Sequence, residues 1–599
     1  MDCKRDTSPA QQQRIPCVRP SATLIPASVL AGATVLGLLL GTAGTLEGQT
    51  VASWPFAGQN LSNTRSAGSE SILSPATVGG LTLRWTFNTT DDVSATPSVD
   101  GTIQAVYFPD WGGYLYKVDA TTGRLIWSHS MSEYGMPAGA LSRTTPALAG
   151  NLIITTASSA LGLQEHYSAK VLGLDAGTGS LVWSQQPDPS IYALLTASPV
   201  VANGVVYVGT SSAEEALSTP TFRGSVIAYD LATGTQLWQT YMAPAGYTGN
   251  AIWSSTPVVD LKRGSLYVTT GNNYTVPASV QTCEQNFLGS PKLVLACQSP
   301  ANYVDAVVAL DLATGAVKWA RRLSSTDAWL ALCGMGVPGC PKPKGPDYDF
   351  GSGANLFTAV INGQATDLVG AGQKSGVYWA LDADNGAVVW SRRIGPGGMI
   401  GGIQWGTAVD GQRIYAAESN SGHAAYDLPG YPGWTGGSWA ALDPATGSIL
   451  WQVPDPGLSP VDPSVPAMAL GPVTAANGVV YAASMSGILY AMDASTGQVL
   501  WAYDTGASVN AAPAIVNGWA YWGSGYHHFG AWRGVPRRNW KHEALCVCAA
   551  VGFCAGPCGE PEPALVSSGS DTATPRRSGA DRHSACRQKS RCCPTGSGG

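Results

Sequence analysis

The chain has 599 residues and a net charge of −6; Asp, Glu, Lys and Arg make up 12% of it, while 73 Gly and 40 Pro break up regular structure. About half the usual share of charge excludes charged coiled coils and polyelectrolyte disorder, and the lack of a basic stripe in the body argues against a nucleic-acid partner. With 44% hydrophobic residues the chain can build a large core, and 20 Trp against 9 Phe point to a repeated structural use of Trp.

In chain order, Leu24 to Leu46 carry no charge and follow Lys4, Arg5, Arg14 and Arg19, the pattern of a positively charged leader before an apolar helix. Residues 1–50 are expected to direct the rest of the chain out of the cytoplasm. Thr42, Ala43 and Gly44 suit cleavage of a signal peptide, and the run is also long enough to stay as an uncleaved membrane anchor. In the body, 51–534, the cysteines are Cys283, Cys297, Cys333 and Cys340, two close pairs inside insertions. Such pairs are expected as disulfides in an oxidising compartment. Sequons at Asn60, Asn88 and Asn273 fit a secreted glycoprotein.

The body repeats the spacing Asp-x-x-x-Gly-x-x-x-Trp seven times: Asp119/Gly123/Trp127, Asp175/Gly179/Trp183, Asp230/Gly234/Trp238, Asp311/Gly315/Trp319, Asp382/Gly386/Trp390, Asp443/Gly447/Trp451 and Asp493/Gly497/Trp501. Each copy reads as a strand, a tight turn in which Asp binds the backbone and Gly takes a positive φ, and a short strand ending in Trp. Upstream of most copies lie a Thr-Pro or Ser-Pro step and two further strands, so each unit has four antiparallel strands. Units of this kind repeated about an axis make an all-β propeller. Trp85 stands alone without the Asp and Gly, and the pattern restarts after Trp501 but stops short. Joining these N- and C-terminal half-blades predicts an eight-bladed ring without an open sheet edge. From 535 to 599 the pattern is lost and seven cysteines appear. This tail is expected to be disordered; Cys546, Cys548, Cys554 and Cys558 lack a standard zinc spacing.

The first-strand starts and second-strand ends of all blades share one face, and the longest insertions and unusual polar residues fall there between Thr196 and Trp405. This is the expected functional face. The repeat resembles that of the quinoprotein alcohol dehydrogenases. The segments WPFAGQNLSNTR, SSAEEALSTPTFRG, AIWSSTPVVD, TGNNYTVP, DYDFG and QKSGVYWALD are most similar to the polyvinyl-alcohol-dehydrogenase-like branch.

The resemblance implies two cofactors, pyrroloquinoline quinone (PQQ) and a calcium ion. It implies oxidation of an alcohol, a polyol or polymeric alcohol included. It further implies that Thr196, Arg223, Trp253, Lys374 and Gln404 contact the quinone, that Glu214, Asn272 and Asp349 bind calcium, and that Asp347 is the base. Glu215 competes with Glu214, and Asp327 with Asp347. No Cys-x-x-Cys-His occurs, so electrons would pass to a separate acceptor. The adjacent cysteine pair of many relatives has no counterpart in the propeller. His527 and His528 read as surface residues at the closing blade. The competing class is a secreted, non-catalytic propeller that binds a protein or polysaccharide through the same loops.

Overall fold

The computed structural model describes residues 52–159, 167–335, 339–527 and 543–549. The leader, His528 and most of the tail lie outside them. Eight blades of four antiparallel strands surround a central channel, as the repeat predicts, and the seventh gains a fifth, parallel strand, Ser66–Ala67, beside Thr474–Ala476. The innermost strands of blades one to eight are Ser98–Asp100, Ala147–Ala149, Val200–Ala202, Val258–Asp260, Asn355–Ile361, Ala408–Val409, Thr474–Ala476 and Ala514–Val516.

The outer strand of every blade but the seventh carries a Trp that packs against the Asp-to-Gly turn of the next blade. The indole Nε1 of Trp183, Trp238, Trp319, Trp390 and Trp451 donates to the carbonyls of Leu231, Leu312, Ala383, Pro444 and Ala494, at 2.9–3.2 Å. Each acceptor immediately follows the repeat Asp of the neighbouring blade. The ring faces the turn glycine, whose φ lies between +68° and +76° in all seven copies. Both the backbone and the space require Gly: a methyl carbon at Gly315 would sit 2.5 Å from Trp238 Cε3. The Asp side chain fixes the turn from within; Asp230 Oδ1 accepts from the Thr233 N–H and hydroxyl. Between blades one and two a histidine stands in, with His129 Nε2 2.9 Å from the Thr178 carbonyl.

Ring closure follows the predicted scheme. Trp85, on the N-terminal strand Leu81–Asn88, donates to Ala120 O of blade one, and Trp501 of blade seven donates to Leu81 O. The eighth sheet runs in the order Ala514–Val516, Trp519–Gly523, Glu543–Ala549, Leu81–Asn88. Its third strand comes from the segment assigned above to the tail, so the boundary at 535 is corrected. Glu543–Ala549 pairs on both sides, with Trp85 opposite Cys546 and Trp519 opposite Cys548, and Ala544 to Cys548 are buried. It lacks the repeat signature because the fourth strand, Leu81–Asn88, arrives from the other terminus, so no Asp-to-Gly turn joins the two.

A second feature escaped the repeat logic. The segment from Trp54 to Ala67 threads the channel and supplies carbonyls to the inner strands of six blades. Val99, Leu148, Val259, Leu356, Val409 and Ala475 donate their N–H groups to Trp54, Pro55, Leu61, Ser62, Thr64 and Arg65, at 2.8–3.0 Å. Inner-strand edges that would otherwise be unpaired are thereby satisfied. The insertions are stapled as expected. Cys283 bonds Cys297 across the helices Ala278–Asn286 and Pro291–Cys297, and Cys333 bonds Cys340 in the connection from blade four to blade five.

Two outcomes follow for stability. Gly315→Ala, which combines a positive φ with contact against Trp238, should cost about 2–3 kcal/mol in urea denaturation. Ending the chain at residue 535 should prevent cooperative folding, because the eighth blade loses the strand that joins its two halves; a truncated chain melting like the intact one would contradict the closure described here.

Candidate active site

The channel opens on the face predicted from the insertions into a cavity of about 290 Å³. Blade-to-blade loops bring Thr196, Trp253, Asp347, Asp349 and Gln404 to its wall, and loops after second strands bring Glu215, Asn272 and Lys374. Residues far apart in sequence meet there because every blade contributes the same two positions to one end of the axis.

At the centre, the buried Lys374 ammonium binds two carboxylates, 2.9 Å from Asp347 Oδ1 and 2.6 Å from Asp349 Oδ1. Asp349 also accepts from Trp253 Nε1 at 2.6 Å. Lys374 Nζ lies 5.1 Å from the centroid of the Trp253 ring, and Trp405 meets that ring edge-on at 5.2 Å. Thr196 donates its hydroxyl proton to the Trp253 carbonyl. Asp347 sits at φ +61°, a costly conformation for a non-glycine residue, and its backbone is clamped: Asp327 accepts from the N–H groups of Asp347 and Tyr348 at 3.0 and 2.6 Å. Asp327 therefore positions the turn and does not line the cavity, which separates it from Asp347.

Burial works against the Lys374 charge, but Asp347, Asp349 and Glu215 together raise its proton affinity well above the ordinary lysine range. One ammonium cannot balance the three carboxyls around it. Burial, opposed by Lys374 and reinforced by Asp349, raises Asp347 well above the usual carboxylate range. Burial likewise pushes Glu215 up to about 7, against the pull of Lys374.

Two expected contacts are corrected. Glu214 and Glu215 occupy a short 3-10 turn, Ala213–Ala216, where successive side chains point about 120° apart. Glu214 turns inward and binds its own loop, accepting from Ser190 Oγ at 2.7 Å and from the N–H groups of Thr221 and Phe222 at 2.5 and 2.7 Å. Glu215 is the carboxylate that lines the cavity, in contact with Asn272. Arg223 does not line it: its guanidinium binds the Ala243 carbonyl at 2.8 and 2.6 Å and stacks on Tyr241. The cation on that wall is Arg143, held between Trp111 and Trp405 at 4.9 Å from each and 3.2 Å from the Tyr526 hydroxyl. Its signal was legible: Arg143 stands three residues before Pro146, as Thr196 does before Pro199. Asn273 is fully buried and bonded to Asn250 and Asn302, which excludes a glycan there in the folded chain. His527 is largely buried, with Nδ1 2.9 Å from Asp92, not a surface residue.

The donor chemistry fits a planar anionic quinone with a hard metal ion. Glu215, Asn272 and Asp349 offer oxygens, the three carboxyls exceed the one ammonium among them, Trp253 offers an aromatic face, and Lys374 and Arg143 offer cations. Asn272 Nδ2 donates to the Asn273 and Trp329 carbonyls, which turns Oδ1 the other way. Among the described residues, the one group of three or more Asp, Glu, His or Cys donor atoms within 4.8 Å of one another is Asp91, Asp92 and His527, outside this cavity.

An eight-bladed ring with this charge-lined mouth defines a quinoprotein-type propeller. Comparison with known proteins agrees. A family model described as "Outer membrane protein assembly factor BamB" matches residues 77–321 and 435–528. The polyvinylalcohol dehydrogenase of Sphingopyxis sp. (strain 113P3) is 31% identical over 497 residues, covering 76% of this chain and 70% of the relative. That of a Pseudomonas sp. is 30% identical, covering 80% and 74%. The crystal structure of quinohemoprotein alcohol dehydrogenase from Comamonas testosteroni superposes with a TM-score of 0.61 at 21% identity, over 86% of this chain and 83% of that one, a likeness of fold. The chain belongs to the quinoprotein alcohol dehydrogenase family, on its polyvinyl-alcohol-dehydrogenase-like branch, and is an oxidoreductase of that kind.

The loops that carry Lys374 rest on Glu418, fully buried at the end of the second strand of blade six, against Gly376 and Gly395. Burial pushes its carboxyl up to about 8, opposed by the Asn420 N–H and by Arg393. Between the ordinary glutamate value of about 4.3 and about 8 the native state binds more protons than the unfolded chain. This group's share of stability therefore falls as pH rises through that window. Glu418→Gln should raise the melting temperature at pH 8 and flatten its dependence between pH 5 and 8, as read by calorimetry.

Proposed function

We propose that the protein is an extracytoplasmic dehydrogenase that uses PQQ and calcium to oxidise an alcohol, secondary hydroxyls of a polyol or polymeric alcohol included, and passes electrons to a separate acceptor. The observation that carries the reading is the buried Asp347–Lys374–Asp349 group beside the Trp253 face. Membership of the quinoprotein alcohol dehydrogenase family and the names of the relatives support it.

Trp253, Lys374, Arg143, Thr196 and Gln404 would hold the quinone, and Glu215, Asn272 and Asp349 the calcium. When bound, the quinone supplies a two-electron acceptor and the calcium a Lewis acid beside it. The chain's own work is to place the alcohol and move its proton. Asp347 Oδ1 takes the hydroxyl proton as general base; its raised proton affinity suits that role. Lys374, held by two carboxylates, is a preorganised cation for negative charge that grows at the reacting oxygens. Asp327 keeps the Asp347 turn in its left-handed conformation, so the base needs no reorganisation. Trp329, Met399 and Ile400 line the cavity with apolar surface that suits a carbon chain and excludes water.

Asp347→Asn should leave quinone binding intact and lower turnover by about two to four decades with an artificial electron acceptor. Glu215→Gln should raise the calcium requirement, while Glu214→Gln should lower thermal stability and leave that requirement unchanged. If the wild type, supplied with PQQ and calcium, binds no quinone and oxidises no alcohol in a broad panel, the redox reading fails and a binding scaffold replaces it.

A further inference from the structure

Beneath the main cavity, between its Trp405 floor and the segment that threads the channel, lies a second, polar recess of about 50 Å³. Arg65 of the threading segment faces it and is 4% exposed. Its Nε donates to the Val473 carbonyl at 3.1 Å and its Nη2 to Thr96 Oγ1 at 2.9 Å; Nη1 donates to no described residue. Among the described residues no carboxylate comes within 4.0 Å of this guanidinium. Burial alone pushes it down to about 10, with no neighbouring charge to compensate. Arg65 adopts φ +48°, so the backbone carries some strain to present it there.

The rest of the wall is rich in donors: Arg143 lines it too, and the one side-chain carbonyl oxygen on it, Asn510 Oδ1, is buried without a donor among the described residues. Ser254 Oγ is buried and makes no hydrogen bond to a described residue. The Thr96 hydroxyl accepts from Arg65, and Ser198 Oγ accepts from the Thr145 N–H; neither these two hydroxyls nor that of Thr145 donates its proton to a described residue. A buried positive charge facing unspent hydroxyl protons in a space of a few water volumes is complementary to a compact negative charge.

We propose that this recess binds one small monovalent inorganic anion of halide size, clamped by Arg65 and the hydroxyls of Thr96, Thr145, Ser198 and Ser254. The bound ion balances the one cation that the threading segment carries into the channel. It also ties that segment to the inner-strand starts of blades one to four. A volume of about 50 Å³ has no room for a bulky polyanion. A carboxylate of the quinone above is the other source of the same chemistry, and the test separates the two.

The full-length protein crystallised from sodium bromide, with and without added PQQ, should show a bromine anomalous peak within hydrogen-bonding reach of Arg65 in both crystals. No peak in either makes the recess a water site and overturns the proposal. A peak that disappears when PQQ is present assigns the recess to the cofactor and overturns it as well. In solution, bromide should raise the melting temperature above that in sodium gluconate at equal ionic strength. Arg65→Met should abolish that difference, and Ser254→Ala should raise the half-saturating bromide concentration about fivefold. Should Arg65→Met not fold, Ser254→Ala decides: an unchanged bromide response in that variant refutes the clamp.

Discussion

The structure depends on the contact between an indole on one blade and the Asp-to-Gly turn of the next. A four-stranded blade has two apolar faces and cannot bury either alone. The Trp covers the joint between neighbours, removing about 150–250 Å² of its own surface from water, and its Nε1 finds a carbonyl that the turn exposes. At about 25 cal/mol/Å² each joint gains roughly 4–6 kcal/mol before entropy is counted, so a ring of eight is stable only when every joint is made. This explains why the last joint cannot be left to one terminus. Trp501 reaches Leu81 O and Trp85 reaches Ala120 O, so the N-terminal strand is both acceptor and donor in the relay.

A closed ring in turn makes the active cavity affordable in electrostatic terms. Burying Lys374 with Asp347 and Asp349 carries a desolvation cost that short-range attraction only partly offsets. Loops on a flexible support would relax to expose these charges. Here Asp347 and Asp349 precede the inner strand Asn355–Ile361, which Leu356 N–H ties to Ser62 of the threading segment, and Lys374 follows the second strand paired to it, so the geometry is held from below. The same constraint lets Asp327 spend both carboxylate oxygens on two backbone N–H groups and keep Asp347 in a strained conformation.

Features governed by the repeat were legible in the sequence, and features governed by one loop's local geometry were not. The seven Asp, Gly and Trp positions, the blade number and the joining of the two termini follow from spacing, because identical spacings must solve identical packing problems, and both disulfides follow from close pairs of cysteines inside insertions. The strand Glu543–Ala549 escaped because its outer neighbour, Leu81–Asn88, comes from the other terminus, so no Asp-to-Gly turn marks it. Glu214 and Glu215 differ by one step on a 3-10 turn, and nothing in a linear motif says which of two adjacent acids points inward. Arg223 was displaced by Arg143 for a related reason: residue type was right, but the side chain's direction is set by the aromatic pair Trp111 and Trp405, which lie 32 and 262 residues from Arg143. The buried Asn273 shows the converse error, in which a three-residue sequon carries no information about access.

Scaffold and chemistry are separable in this chain. The family model described by an assembly factor covers 77–321 and 435–528, and the interval between, 322–434, contains Asp327, Asp347, Asp349, Lys374 and Gln404. Blade five and the insertion before it lie within that interval, yet they keep the repeat: Trp319 still docks on Ala383, and Trp390 on Pro444. The demands of ring closure are met on the turn face and the demands of the site on the opposite face, so the loops that hold the charged group can diverge in length and composition without disturbing a single inter-blade joint. For this reason the repeat alone says little about activity, and the reading of function rests on the few loop residues that the channel axis brings together.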